Sequence, residues 1–250
     1  MNTTRRDFLL RSTALLGTLP LGALATTPVA LGTPRLHAVC VGAHPDDPES
    51  GCGGTLLRFR AAGHRVTVVY LTRGEAGIAG RSHEEAARIR TDEATAACAR
   101  LGAEPVFFGQ IDGAAVYDRD AIAAMTRRLD ELAPDLVFGH WPLDAHPDHQ
   151  VASLLCQQAW LRARKPFSLF FYEVCAGSQT TGFHPTDHVD ISDVRTAKRA
   201  LVDCHASQDP ADIYAGGGHA LMEEFRGVEI QVRAAEAFVR MTGRHERPLI

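Results

Sequence analysis

The sequence predicts an α/β fold: a single Rossmann-like open parallel sheet of order 3-2-1-4-5, helices on both faces, and a smaller C-terminal α/β extension. Three observations carry this reading. From Pro34 onward, short apolar runs alternate with longer amphipathic ones, the sequence form of repeated strand–helix units. The apolar runs lack period-two alternation, as strands covered on both faces do. No repeat, linker or charge block interrupts the pattern, so residues 36–250 read as one domain.

The elements follow in order. Leu36–Ala43 is the first strand, and Gly53–Ala62 a helix closed by Gly63, a residue that accepts the left-handed conformation at a helix end. Arg65–Leu71, with Val66, Val68, Val69 and Tyr70, is the second strand. His83–Leu101 is a long helix closed by Gly102, and Pro105–Phe108 the third strand. Asp120–Ala133 is a helix stopped before Pro134, because the residue ahead of a proline avoids the helical region. Leu136–Gly139 is the fourth strand, Asp148–Arg164 the next helix and Ser168–Val174 the fifth strand. Beyond Gly182 the pattern changes to a short run at His188–Ile191, a helix near Val194–His205, a loop at Gly216-Gly217-Gly218 and an amphipathic segment near Val228–Met241. This extension is expected to pack on the core and partly cover the site.

Composition narrows the class. The 250 residues are 45% hydrophobic and 22% charged, ordinary globular usage that excludes disorder and a multi-span membrane protein. With 26 basic against 30 acidic residues and 7% aromatics, neither a basic nucleic-acid surface nor a base-stacking platform is expected. The six cysteines include no Cys-x-x-Cys pair, which argues against a cysteine zinc knuckle or a disulfide framework.

Residues 1–25 read as an address. Thr4-Arg5-Arg6-Asp7-Phe8-Leu9-Leu10 resembles a twin-arginine export signal, and Ala23-Leu24-Ala25 fits an A-x-A cleavage site. The expectation is an exported protein, periplasmic or extracellular, with residues 26–35 as a short linker and no membrane contact after cleavage. An uncleaved anchor is the competing reading, weakened by Gly17, Pro20 and Gly22 in the apolar stretch.

In open parallel sheets, ligands bind beyond the carboxyl ends of the strands where strand order reverses. In this order that point lies between strands 1 and 4. The loops that follow these strands carry His44-Pro45-Asp46-Asp47 and His146-Pro147-Asp148-His149, the densest His and Asp clusters in the chain. Imidazole and carboxylate ligands suit a divalent metal, zinc first, with another such as Fe2+ left open. Two ligands from one loop and one from the other would leave acid–base groups to spare.

These residues also resemble a family. Ala43-His44-Pro45-Asp46-Asp47 followed by Gly51-x-Gly53-Gly54-Thr55-Leu56 is similar to the signature of the LmbE-like (PIG-L) zinc N-deacetylases. The similarity continues through Thr72-x-Gly74-Glu75-x-Gly77, Arg90-x-x-Glu93, Asp112-Gly113, His146-Pro147-Asp148-His149 and His205-x-Ser207-Gln208, with a weaker match at Ala235-Glu236-Ala237-Phe238. The resemblance implies His44, Asp47 and His149 as zinc ligands and Asp46 as the general base toward zinc-bound water. It implies His146 as a protonated partner of the oxyanion or leaving amine, oriented by Asp148. One departure is visible: Pro48 stands between the Asp pair and Glu49, where the family often has Glu directly.

Blander readings stand beside these. The strand-end His and Asp residues also suit turns, and Asp148 could be the N-cap of the helix that follows. Arg90 is either a binder of substrate hydroxyls or an ion-pair partner of Glu93, three residues on. Glu75 and Asp112 are expected to contact substrate from loops at the same sheet edge. His205 would bind substrate or satisfy the last carbonyls of its helix, and Cys52, near the ligand loop, reads as a small buried residue. The resulting expectation is a hydrolase that removes an acetyl group from an N-acetylated amino sugar, small or oligosaccharide. An amidase acting on a larger acyl group, and a silent metal- or sugar-binding module, are the alternatives. Self-association into a homo-oligomer is left open.

Overall fold

The computed structural model describes residues 34–174, 179–216 and 218–243. The expected export signal and its cleavage site lie outside the described residues, as does nearly all of the linker. Strand β1 (His37–Gly42) is buried along its whole length, and β2 (Arg65–Tyr70), β3 (Glu104–Phe107), β4 (Leu136–His140) and β5 (Ser168–Tyr172) follow as short parallel strands. Between them run α1 (Asp47–Ala61), α2 (His83–Leu101), α3 (Arg119–Leu132) and α4 (Pro147–Arg162). The extension supplies β6 (Asp187–Asp190), α5 (Arg195–Val202), α6 (His219–Glu229) and β7 (Ala235–Arg240). The sheet order is β3-β2-β1-β4-β5-β7-β6, so the expected parallel order holds and two strands extend it. Both added pairings, β5 with β7 and β7 with β6, are antiparallel.

The pleat divides the core. Val39, Val41, Val69, Leu71, Val137, Leu169 and Phe171 face α3 and α4, where Met125, Leu129, Leu155 and Trp160 meet them. The alternate residues Ala38, Cys40, Val68, Tyr70, Phe138, Phe170 and Tyr172 face Leu56 of α1, Ala94 and Cys98 of α2 and Leu201 of α5. Successive strand residues pointing to opposite faces give the two layers.

Two expectations need correction. Helix α1 begins at Asp47, six residues before Gly53, because Pro48 sits in its first turn and Asp47 and Glu49 complement the helix N-terminus. The glycines that obscure this are packing sites. A side chain at Gly51 would strike the Tyr172 ring, and one at Gly54 would lie 2.6 Å from Ile191 Cγ2. The amphipathic segment expected at Val228–Met241 is instead the end of α6, a turn and strand β7.

A buried charge cluster pins the extension to the core. Lys198 Nζ of α5 lies 2.9 Å from Glu223 Oε1 of α6 and 2.8 Å from Glu236 Oε1 of β7. Glu236 also accepts the Gly54 and Thr55 N–H groups of α1, at 2.8 and 2.7 Å. Arg195 Nε and the Tyr214 hydroxyl donate to Glu223 Oε2, at 2.9 and 2.6 Å. Among the described residues, no helix is long and apolar enough to cross a membrane.

Candidate metal centre and active-site cavity

The site begins in the turn from β1 to α1. Asp46 adopts φ +112, a conformation that L-residues other than glycine rarely hold. The turn is over-determined. His44 N donates to Asp47 Oδ2 at 2.7 Å, Ser50 N to Asp46 O at 2.9 Å, and Arg90 Nη2 to both Pro45 O (2.5 Å) and Asp46 Oδ2 (3.1 Å). Strand β4 ends beside this turn and delivers the second cluster at the start of α4.

Three buried donor groups converge there. His44 Nδ1 lies 3.3 Å from Asp47 Oδ2 and 3.3 Å from His149 Nε2, and His149 Nε2 lies 3.4 Å from Asp47 Oδ1. Ligands about 2.0–2.2 Å from a tetrahedral zinc ion stand about 3.3–3.6 Å apart, the spacing of each of these pairs, with the two histidines approaching different oxygens of the Asp47 carboxylate. The far nitrogen of each imidazole meets carboxylate. His44 Nε2 is 3.1 Å from Asp112 Oδ1 and 3.3 Å from Asp148 Oδ2, and His149 Nδ1 is 3.1 Å from Asp144 Oδ2. Metal-ligating histidines are commonly held in this way. Among the described residues, the trios whose ligand atoms lie within 4.8 Å of one another are His44 with His146 and His149, Asp47 with His140 and His149, and His44 with Asp112 and Asp148, so the proposed ligands are shared between overlapping groups.

The electrostatics favour a cation. Burial opposes charge on His44, yet Asp112, Asp148 and Asp47 outweigh it and raise its pKa well above the ordinary value. Burial pushes the Asp46 carboxyl up to about 6, with Arg90 pulling down and Asp47 pushing up. Burial, with His44 and His149, lowers the pKa of His146.

The relation expected between Asp148 and His146 is corrected. The Asp148 carboxylate faces His44 and accepts the Gly113 and Ala115 N–H groups at 2.7 and 3.3 Å. It is His146 that caps α4, its Nδ1 accepting the Asp148 N–H at 3.2 Å. That bond requires an unprotonated Nδ1, which leaves a neutral ring with its proton on Nε2.

A cavity of about 430 Å³ opens over the triad, within the range of small-molecule sites. His44, Asp46, Asp47, His146 and His149 form one end, and Arg90 and Asp112 also line it. Gln208, Ile213 and His219 of the extension close the other side. Glu75 does not line it: its Oε2 accepts the Arg73 and Asp112 N–H groups, both at 3.2 Å, and ties the loops after β2 and β3 together. His205 is also set back, fully buried with Nε2 3.4 Å from Glu49 Oε2. Glu93 bonds Ser207 N and Oγ, both at 2.7 Å, in place of the anticipated Arg90 pair. Cys52 is buried against Cys40, and burial drives its thiol pKa well up.

Sequence reasoning missed Asp144, His140 and Glu236; it expected the extension to cover part of the site, but not that Ile213 and His219 would line it. His140 lies stacked on the His149 ring, centroids 4.0 Å apart, with Nε2 3.2 Å from Asp47 Oδ2. His140 ends β4 and Asp144 stands in the loop that follows, already marked by its histidines, which was the available signal. Glu236 had only its place in the weakest of the family matches.

Fold and site together define an α/β protein with a His/Asp centre at the switch point of its sheet, and the comparisons place it among known proteins. The PIG-L family model, described as GlcNAc-PI de-N-acetylase, matches residues 39–160. The diacetylchitobiose deacetylase of Thermococcus kodakarensis is 31% identical over 194 residues, 70% of this chain and 71% of that one. The 1D-myo-inositol 2-acetamido-2-deoxy-alpha-D-glucopyranoside deacetylase of Mycobacterium avium is 34% identical over 149 residues, 47% of this chain and 48% of that protein. Among solved structures, N,N'-diacetylchitobiose deacetylase from Pyrococcus horikoshii matches with TM-score 0.75 and 25% identity, covering 83% of this chain and 84% of that one. GalB of Pseudomonas putida, a 4-carboxy-2-hydroxymuconate hydratase, reaches TM-score 0.74 at 22% identity over 86% of this chain and 100% of that one, a likeness of fold alone. The chain belongs to the PIG-L (LmbE-like) family.

Proposed function

We propose that this protein removes the acetyl group from an N-acetylated amino sugar of the N-acetylglucosamine type, with a divalent ion, zinc first, held by His44, Asp47 and His149. The observation that carries the reading is the placement of the Asp46 carboxyl, held by Arg90, in the same cavity as the three donor groups. A binding module has no use for a spare base there. A hydratase of similar fold means that the reaction must be argued from the site and not from the fold.

His44, Asp47 and His149 would hold a divalent ion, which would supply Lewis-acid polarisation of the amide carbonyl and a lowered water pKa. Asp46 takes the proton of the attacking water and returns it to the departing amine nitrogen, so that amide and water become acetate and amine. His146 offers Nε2–H to the carbonyl oxygen as it gains charge. Arg90 holds Asp46 and the Pro45 carbonyl against drift. The Thermococcus kodakarensis and Mycobacterium avium relatives are deacetylases of diacetylchitobiose and of a 2-acetamido-2-deoxy-glucopyranoside, which supports that substrate class. Arg5-Arg6 and Ala23-Leu24-Ala25 support export, and with it extracytoplasmic sugars as substrates.

The test is acetate release from a panel of N-acetylhexosaminides, mono- to oligosaccharide, by the chain stripped of metal and reloaded with zinc. Release that depends on zinc is expected. Stoichiometric zinc with no release from any member, but release of a longer acyl group, would move the reading to the larger-acyl amidase.

A further inference from the structure

We propose that Asp144 is a positioning residue that sets the tautomer of His149, and with it which ring nitrogen is offered to the metal. The inference rests on the metal reading of the triad. Asp144 sits between β4 and α4 and is buried, 2% exposed. Its Oδ1 accepts the His146 N–H at 2.8 Å, and its Oδ2 lies 3.1 Å from His149 Nδ1. Asp144 Oδ2 and His149 Nδ1 are both buried without a hydrogen-bonding partner, and at 3.1 Å each is placed to serve the other.

An ionised carboxylate only accepts, so the nitrogen facing it carries the proton. A neutral imidazole has one N–H, which leaves Nε2, the atom facing His44 and Asp47, as a lone pair. That is the form a metal requires. The backbone of Asp144 is fixed as well. It forms an antiparallel bridge with Thr180, and its carbonyl accepts Gln150 Nε2 at 2.6 Å. Gln179, next to that bridge, lines the cavity. The other carboxylates do not duplicate the task, since Asp112 and Asp148 face His44.

Asparagine is the discriminating replacement, nearly the same shape with one acceptor oxygen for two tasks. If that oxygen keeps the His146 N–H, the amide NH2 faces Nδ1 and drives the ring proton to Nε2, where a metal would bind. If the amide flips, its NH2 opposes the His146 N–H.

The experiment measures zinc affinity of the metal-stripped full chain by chelator competition, wild type against Asp144→Asn. Alongside it, 15N imidazole spectra of the metal-free chain in alkaline buffer read the His149 tautomer. The expected result is Nδ1–H in the wild type and a roughly 10- to 100-fold loss of zinc affinity in the folded variant. A wild-type ring protonated at Nε2, or a folded variant with unchanged affinity, overturns the proposal. Should the variant fail to fold, the wild-type tautomer decides alone. A wild type without zinc affinity removes the metal reading itself, a different failure from equal affinity in both chains.

Discussion

His44 and Asp148, 104 positions apart, meet at the switch point of the sheet with Nε2 of one 3.3 Å from Oδ2 of the other. Asp112 approaches the same nitrogen at 3.1 Å. Two carboxylates therefore hold one imidazole, and each is anchored by backbone N–H groups, Asp148 by Gly113 and Ala115 and Asp112 by Ala76.

That shared task predicts non-additive loss. Asp148→Asn and Asp112→Asn should each weaken zinc binding modestly, because the other carboxylate still faces Nε2. The double variant should lose more than the sum, with a coupling of about 0.5–3 kcal/mol, the range for residues in one network. Chelator competition across the four chains checks this; strict additivity would remove the shared role.

Asp47→Ala should abolish stoichiometric metal, since Asp47 supplies one of the three donor groups and accepts the His44 N–H. Metal analysis after dialysis is the readout. Full zinc content would take Asp47 off the ligand set.

Gly54→Ala should destabilise the fold by roughly 1–3 kcal/mol, the range for overpacking. Its methyl would meet Ile191 Cγ2 at 2.6 Å and crowd Glu236 Oε1 at 3.1 Å. Urea denaturation measures it, and an unchanged midpoint would mean that α1 and the extension are looser than their packing implies.

The pH dependence of stability has a worked sign at Glu223. Burial raises its pKa, but Lys198, Tyr214 and Arg195 more than compensate, so the folded value is lowered. A lowered carboxylate contributes stability that is present above its unfolded pKa of about 4.3 and is lost as pH falls through the folded value. Urea midpoints should therefore fall on acidification below about pH 5. Glu223→Gln should lower stability near neutral pH, by roughly 3–5 kcal/mol if the buried pair with Lys198 is broken, and flatten that acid limb. An acid limb as steep as the wild type's would assign it to other carboxylates.

The fold was legible where burial on both faces imposes apolar strands: β1, β2, β4 and β5 lie within a residue or two of their expected bounds. Less legible was α1, whose Gly51, Gly53 and Gly54 lower helix propensity while serving close contacts. The join of α6 to β7 was hidden because Ala-Glu-Ala-Phe-Val-Arg alternates only weakly and its acid turns inward to Gly54 and Lys198. At the site, His44, Asp46, Asp47, His146 and His149 could be found because they cluster in two loops. Asp144 and His140 are single residues whose partners exist only after folding. Arg90 was recognised as a residue of interest, but its grip on Pro45 depends on a packing between α2 and the first loop that spacing does not disclose.

The most direct test of the central claim measures zinc content and acetate release together on wild type and Asp46→Ala. Asp46 lies beside the donor triad and bonds to Arg90. The account predicts one zinc per chain in both, with kcat lower in the variant by roughly two to four decades, the scale of general acid–base catalysis. Undiminished release by the variant, or loss of its zinc, would contradict the separation of base from ligand on which the mechanism depends.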